Sequence, residues 1–269
     1  MTLYFLGGGN MAAAIIAAWQ QHGDGTPVVV AERNAERRNT LMQRFGIRTL
    51  DTLPALQADD VLVLAVKPQD MAQACADVQH GGALVLSIAA GLPVAALSAM
   101  LGGTQRIIRI MPNTPAAVGM GMSGLYAANA ADAADRARAE TLMNACGRCL
   151  WLENEAQMHA LTAVSGSGPA YVFYLLNALQ QSAQHLGFTP EQAHTLALET
   201  FRGTTALAAA SPDSFATLQE QVTSKGGTTY AALESFRANE LAKLLEQGVQ
   251  AAAARSREMA EKIESTPTP

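Results

Sequence analysis

Three clusters of small residues carry the chemistry that can be read from this chain. The first is Gly7-x-Gly9-x-x-Ala12 within YFLGGGNMA, placed after an apolar run and before an alanine-rich one. A strand, glycine turn and helix at this spacing bind the pyrophosphate of a dinucleotide. Gly7 makes the tight turn, Gly9 lets phosphate approach the backbone, and Ala12 permits close helix–strand packing. Free N–H groups and the dipole at such a helix start favour anions. The second cluster, QVTSKGGTTY at 221–230, holds four Ser/Thr hydroxyls and two adjacent glycines, with no His, Asp or Glu. It precedes YAALESFRANELAKLLEQ, a helical segment. It is therefore either an ordinary N-cap or a carboxylate site in which Gly226, Gly227 and Thr228 offer amides and Ser224 and Thr229 add hydroxyls. The third, MPNTPA at 111–116, follows a strand end at the edge where α/β sheets bind ligands. There Asn113 and Thr114 contact a nicotinamide, or Pro112 and Pro115 stiffen a loop.

Around the glycine turn, further residues bear on which dinucleotide is bound. Glu32 lies twenty residues after Ala12, where an acid hydrogen-bonds a ribose 2′-hydroxyl and favours NAD. Arg33, Asn34, Arg37 and Arg38 follow at once. Arg33 or Asn34 suits a 2′-phosphate, which favours NADP; the arginines also fit a solvated helix face. The reading is NADP, with NAD as the alternative. In AVKP, Lys67 either neutralises phosphate or is merely solvated.

These residues need elements to hold them. Runs at 2–6, 27–31, 61–66, 83–88 and 106–110 are rich in β-branched residues and Leu, and several are apolar throughout, as parallel strands covered on both faces are. Helical segments such as MAAAIIAAWQQ and AERRNTLMQRF lie between them. This rhythm predicts a doubly wound sheet, an N-terminal Rossmann-like dinucleotide-binding domain over 1–155. After CLWL (149–152) the strands stop, and an all-α domain follows over 156–262, with a polar tail at 263–269. Long apolar faces without a sheet to cover them predict burial against a second copy, a homodimer at least.

Read with AVKPQD (65–70) and MPNTPA (111–116), the segments LTAVSGSGPAYVF (161–173) and VTSKGGTTYAALE (222–234) resemble Δ1-pyrroline-5-carboxylate reductases. The resemblance runs over nearly the whole chain. It implies an intertwined dimer built on the helical half, in some members assembled into larger rings. It also implies hydride transfer from a reduced nicotinamide to an imine carbon, giving L-proline. By family position Leu6, Gly7, Gly8, Gly9, Asn10 and Met11, with Ala65, Val66, Lys67 and Pro68, hold the cofactor. Ser224, Gly227, Thr228 and Thr229 hold the substrate, Thr229 also contacting the ring nitrogen. Glu155 falls where the family has an acid near the substrate. His159 stands where an Asp is expected, and Lys225 where many members have Pro.

Other functions fit less well. A β-hydroxyacid dehydrogenase needs a lysine as proton donor on the long helix, and the residue four past Gly168 is Val172. A non-catalytic dinucleotide sensor leaves the 222–234 signature without a purpose. A net charge of −5 with no basic face argues against nucleic acid as a partner. No Lys, Arg, Asp or Glu lies between Asp77 and Arg106, but the glycines and Pro93 in that stretch suit a buried α/β core better than a membrane span. With no signal-like start, the expected location is cytoplasmic. Cys146 and Cys149 form a CxxC without a second ligand pair, so no metal is expected. They read as two small residues between a helix and a strand. SGSGPA (165–170) reads as a tight inter-helix turn, with Gly166 and Gly168 in packing roles.

Overall fold

The apolar runs become strands because both of their faces are covered. In the computed structural model, which describes residues 1–264, β1 (Leu3–Leu6), β2 (Val28–Ala31), β4 (Val61–Leu64), β5 (Leu84–Ser87) and β6 (Ile107–Met111) pair in parallel. Every residue of β2, β4 and β5 is buried. The expected tail reaches beyond this, and 265–269 lie outside the described residues.

Among the described residues the sheet has eight strands in the order β3-β2-β1-β4-β5-β6-β7-β8. The order reverses between β1 and β4, which is the switch point where open α/β sheets bind ligands. Two strands depart from the expected set. β3 (Arg48–Leu50) is too short to show a period, and β7 (Gly121–Ala127) begins and is interrupted by glycine. β7 runs antiparallel to β6, and β8 (Gly147–Trp151) is parallel to β7. The far edge of the sheet is therefore mixed rather than doubly wound.

Helix α1 (Asn10–His22) shows how the sequence folds here. Alanines keep its helix propensity high, while Ala12, Ile15, Ile16, Ala18 and Trp19 bury one stripe against the sheet. It stops at Gly23, whose N–H closes on the carbonyl of Trp19. Helices α2 (Ala35–Phe45) and α5 (Ala133–Asn144) add to the core on that face, and α3 (Met71–Cys75) and α4 (Val94–Met100) to the core on the other. Asp135 on α5, 1% exposed, accepts from Arg106 Nε at 2.8 Å and Nη2 at 2.7 Å, and from Arg138 Nη1 at 3.4 Å. Arg106→Ala leaves that carboxylate only the longer contact with Arg138 Nη1 and should cost about 2 kcal/mol, read as a fall in the urea midpoint.

By compactness the chain forms two units, residues 1–167 joined by the described residues from Ala252 on, and Gly168–Ala251. The first unit runs past β8 through α6 (Gln157–Leu161) and a π-helical turn, Thr162–Gly166. The second consists of α7 (Gly168–His185), α8 (Pro190–Ala210), α9 (Phe215–Gln221), α10 (Thr228–Ala238) and part of α11 (Leu241–Glu264). Its buried apolar residues, among those described, are Ala193 and Ala197, whereas Tyr174, Leu186 and Phe215 are at least three-quarters exposed. Such a surface is far more apolar than a solitary helical unit presents to water.

Cys146 follows α5 and Cys149 lies in β8. Burial pushes the Cys146 thiol up to about 12, which leaves it a neutral packing group.

Candidate active site

A cleft of about 570 Å³ opens at the carboxyl edge of the first unit, beside the switch point. That volume suits a cofactor-sized ligand. Its walls include Leu6, Gly7, Gly8, Gly9 and Asn10 from the first turn, Arg33 after β2, and Ala65, Val66 and Lys67 after β4. Residues from 23 to 61 positions apart in sequence thus meet because β2 and β4 flank β1 in register.

Each glycine of the turn is needed for a different reason. Gly7 has φ +99, and a Cβ there would meet Val66 Cγ1 at 2.8 Å and the Ala65 carbonyl group at 3.0 Å. Gly8 would press on Leu41 Cδ1 at 2.4 Å. Gly9 is the opposite case, since its Cβ would meet nothing within 4 Å. The fold leaves that space open, directly over the start of α1, where no side chain caps the first-turn N–H groups. This cradle fits the pyrophosphate of a dinucleotide, drawn in by amides and the helix dipole.

Not all the expected cofactor residues face the cleft. Ala12 is buried under α1 and Met11 packs on the core. Asn34 caps α2, its Oδ1 accepting from the Arg37 N–H at 2.8 Å. Pro68 opens a 3-10 turn. Asn113 lies outside the cleft walls, 9% exposed, with its amide fully engaged. Its Oδ1 accepts from the Met122 N–H at 2.9 Å and its Nδ2 donates to the Ser165 carbonyl at 3.2 Å. Asn113 therefore ties the loop after β6 to β7 and to the π-helical turn. There a Cβ on Gly166 would meet Met111 Cε, the movable end of a flexible side chain, at 2.7 Å. Conversely, Arg37, Thr52 and Gln73 line the cleft without having been singled out for it. Arg37 was visible as part of the basic run; for the other two, Thr52 on the loop after β3 and Gln73 within α3, no local pattern marks them.

Glu32 is half-enclosed by its own neighbours. Its Oε2 accepts from the Gly8 N–H at 3.0 Å and from Arg37 Nη1 at 3.3 Å, and its Oε1 from the Asn34 N–H at 2.9 Å. Burial pushes its pKa up, but the Asn34 and Gly8 amides and the Arg37 charge prevail and hold it below the usual carboxylate range. Glu32 is thus a fixed negative charge that also occupies Arg37. Glu32→Ser removes that charge and frees the guanidinium, so the preference for NADPH over NADH should rise roughly tenfold, read as the ratio of dissociation constants.

At the other end of the first unit's edge, Glu155 meets Arg109: Nη1 donates to Oε1 at 2.7 Å. The same oxygen accepts the Val94 N–H at 2.7 Å. One turn on, His159 Nδ1 lies 2.9 Å from Ser256 Oγ. Burial, then the charges of Arg109 and Arg257, depress the His159 pKa below its ordinary 6.5. The unfolded chain then binds this proton more readily than the folded one, so the contribution is complete above 6.5 and is lost as pH falls through the lower folded value. His159→Gln should therefore lose less Tm on acidification below 6.5 than the parent does.

In the second unit the turn before α10 carries the second small-residue cluster. Gly226 has φ +72, which favours glycine, and the Gly227 N–H donates to the Ser224 carbonyl at 3.0 Å. Gly227 is the N-cap of α10 and no side chain caps that helix. Ser224, Thr228 and Thr229 are exposed. The first-turn amides of an eleven-residue helix thus face outward beside three hydroxyls, an arrangement suited to a small carboxylate.

The chain is 43% identical to a pyrroline-5-carboxylate reductase of Pseudomonas aeruginosa, over 96% of this chain and 97% of that one. It belongs to the pyrroline-5-carboxylate reductase family. A pyrroline-5-carboxylate reductase of Pasteurella multocida is 40% identical over 96% of this chain and 97% of its own. The family's pyrroline-5-carboxylate reductase dimerisation region matches residues 155–259, and an NADP oxidoreductase, coenzyme F420-dependent, matches residues 2–91. Among solved structures, a pyrroline-5-carboxylate reductase from Coxiella burnetii superposes with a TM-score of 0.89 at 34% identity, covering 96% of this chain and 98% of that one. The Plasmodium falciparum pyrroline carboxylate reductase with NADP bound gives 0.81 at 25% identity, covering 96% and 99%. The reductase family explains the second unit's exposed apolar surface: it lies in a dimerisation region, and its partner is a second copy.

Proposed function

We propose that this reductase converts Δ1-pyrroline-5-carboxylate to L-proline with NADPH as donor, NADH being the second choice. The observation that carries the reading is the pair of uncapped helix starts, α1 beside a dinucleotide-sized cleft and α10 beside a hydroxyl-rich turn. When bound, the reduced nicotinamide supplies a hydride to the imine carbon and is left oxidised. A protonated cyclic imine is already electrophilic, so the residues need only hold it and keep its nitrogen protonated.

The Gly226–Thr229 turn holds the substrate carboxylate through main-chain amides, with Ser224 adding a hydroxyl. The Thr229 hydroxyl bonds the ring nitrogen. The amides of residues 9–12 hold the pyrophosphate, and Arg33 takes the 2′-phosphate. Most of the rate then comes from placing donor and acceptor together, an effect that positioning alone makes large. Val172, where a dehydrogenase of hydroxyacids would carry its lysine, supports imine over carbonyl chemistry.

Residues 156–262 form the dimerisation domain in this reading, and dimers build further into a ring. The enzyme works in the cytoplasm; no helix among the described residues is long and apolar enough to cross a membrane. The test is loss of reduced-nicotinamide absorbance with pyrroline-5-carboxylate against a 2-keto acid. Turnover of the imine alone, with proline as product, is expected. Cofactor binding without turnover of either would make the protein a dinucleotide sensor instead.

A further inference from the structure

We propose that Glu155 and Arg109 form a positioning clamp on the loop between β5 and α4, residues 88–93, and that Glu155 serves the hydride step through this loop without touching substrate. The proposal rests on the reductase reading above and assigns Glu155 a role other than the substrate contact implied by family position.

Arg109 is 6% exposed in β6, in register with Ser87 at the end of β5. Strand alternation puts it on the face that carries Val85 and Ile107, the face packed with α4. A guanidinium at such depth needs an anion, and Glu155 supplies it at 2.7 Å. The same carboxylate oxygen accepts the Val94 N–H, an orphan donor at the start of α4, where the N-cap is Pro93 and offers no side-chain bond. A negative charge at that helix start is favoured by the dipole as well.

One carboxylate thus binds together β6, the start of α4 and the connection after β8. The loop in question is held at both ends: the Ile88 N–H donates to the Leu64 carbonyl at 3.1 Å, and Val94 is held by Glu155. Between those points Gly91 takes φ +78, and Ala89 and Leu92 are buried. Topology says what the loop faces. The glycine turn follows β1, and the residues that suit the adenosine end follow β2. A dinucleotide anchored there sends its other half across the switch point, toward the loops after β4, β5 and β6. The 88–93 loop follows β5 on that edge, so a shift of its backbone would move a wall that would hold a bound nicotinamide.

The test uses the full chain with Glu155→Ala, Glu155→Asp and Glu155→Gln. Measured are kcat, KM for pyrroline-5-carboxylate, Kd for NADPH, the fluorescence of bound NADPH, and amide exchange at Val94. For Glu155→Ala the clamp predicts kcat lower by roughly 10- to 100-fold, since small misplacements in a hydride-transfer geometry are costly. KM and Kd should stay within about twofold, because the anchors for pyrophosphate and carboxylate are untouched. Val94 exchange should accelerate. Glu155→Gln, whose amide oxygen still accepts both N–H groups but leaves Arg109 without its anion, should recover part of kcat relative to the alanine variant. Should the alanine variant not fold, Glu155→Asp decides: it keeps the charge but is one methylene short, and should show the same selective loss of kcat. A rise in KM for the imine with kcat retained would make Glu155 a substrate ligand. A lower Tm with kcat unchanged would make it a structural brace; either result overturns the clamp. If the parent protein turned over no imine, the reductase reading would fall by itself. The clamp would then be judged by whether Glu155→Ala speeds Val94 exchange and alters bound-NADPH fluorescence at unchanged Kd, and it is overturned if neither moves.

Discussion

Gly9→Val should leave the melting temperature almost unchanged and weaken NADPH and NADH binding alike by at least about a hundredfold. The two halves of this expectation come from one feature. A Cβ at Gly9 meets no atom within 4 Å, and the backbone there has φ −70, which valine tolerates. The folded protein thus has no reason to resist the side chain. The space it fills, however, is the approach to the uncapped amides of α1, and charge-assisted bonds from such amides to phosphate contribute about 1.5–3 kcal/mol each. Losing one or two of them accounts for the factor. Gly7→Val is the control, because φ +99 and the 2.8 Å approach to Val66 predict a damaged fold. Equilibrium fluorescence titration and thermal melts separate the two. Unaltered binding in Gly9→Val would move the pyrophosphate away from this turn.

Thr229→Ala should lower kcat for imine reduction by about a hundredfold while NADPH affinity stays within about twofold. Thr229 is the second residue of α10, exposed beside an N-cap glycine that contributes no side-chain bond. As a mere capping residue it would affect stability by about 1 kcal/mol and turnover hardly at all. As the partner of the ring nitrogen, its oxygen accepting the imine N–H, it holds the ring where charge changes in the transition state, and removal of one such oriented bond costs about 2.7–4 kcal/mol. Steady-state kinetics with direct NADPH titration distinguish these. Equal loss of turnover and cofactor affinity, or no loss of either, would remove Thr229 from the reacting centre. Thr229→Ser, which keeps the hydroxyl, should restore most of the rate.

The parallel strands and the first helix were legible in the chain because their signals are local. A run such as VLVL is apolar at every position only if both faces are covered, and the structure covers both. β3 and β7 were not legible for equally physical reasons. Three residues cannot show a period, and in GMSGLYA the glycines erase it; pairing with β6 and β8 makes a strand there. The glycine turn was legible in its backbone, with positive φ at Gly7 and open space at Gly9, since steric limits on φ and on backbone approach belong to single residues.

Side-chain partners are another matter. Glu32 reads as a ribose ligand from spacing alone, yet its carboxylate already holds Gly8, across 24 residues, and Arg37. Asn113 reads as a nicotinamide contact, and its amide is engaged with Ser165, 52 residues on. Glu155 reads as an acid near substrate, and its nearest donors are Arg109 and the amide of Val94, 61 residues back. The sequence by itself determined the kinds of groups present, the helix starts that attract anions and the strands that bring the residues of the dinucleotide cleft to one sheet edge. Only the tertiary structure decided which polar groups satisfy each other and which are left open for a ligand. A buried donor or acceptor takes whichever partner the fold brings within about 3 Å, and chain spacing does not encode that distance.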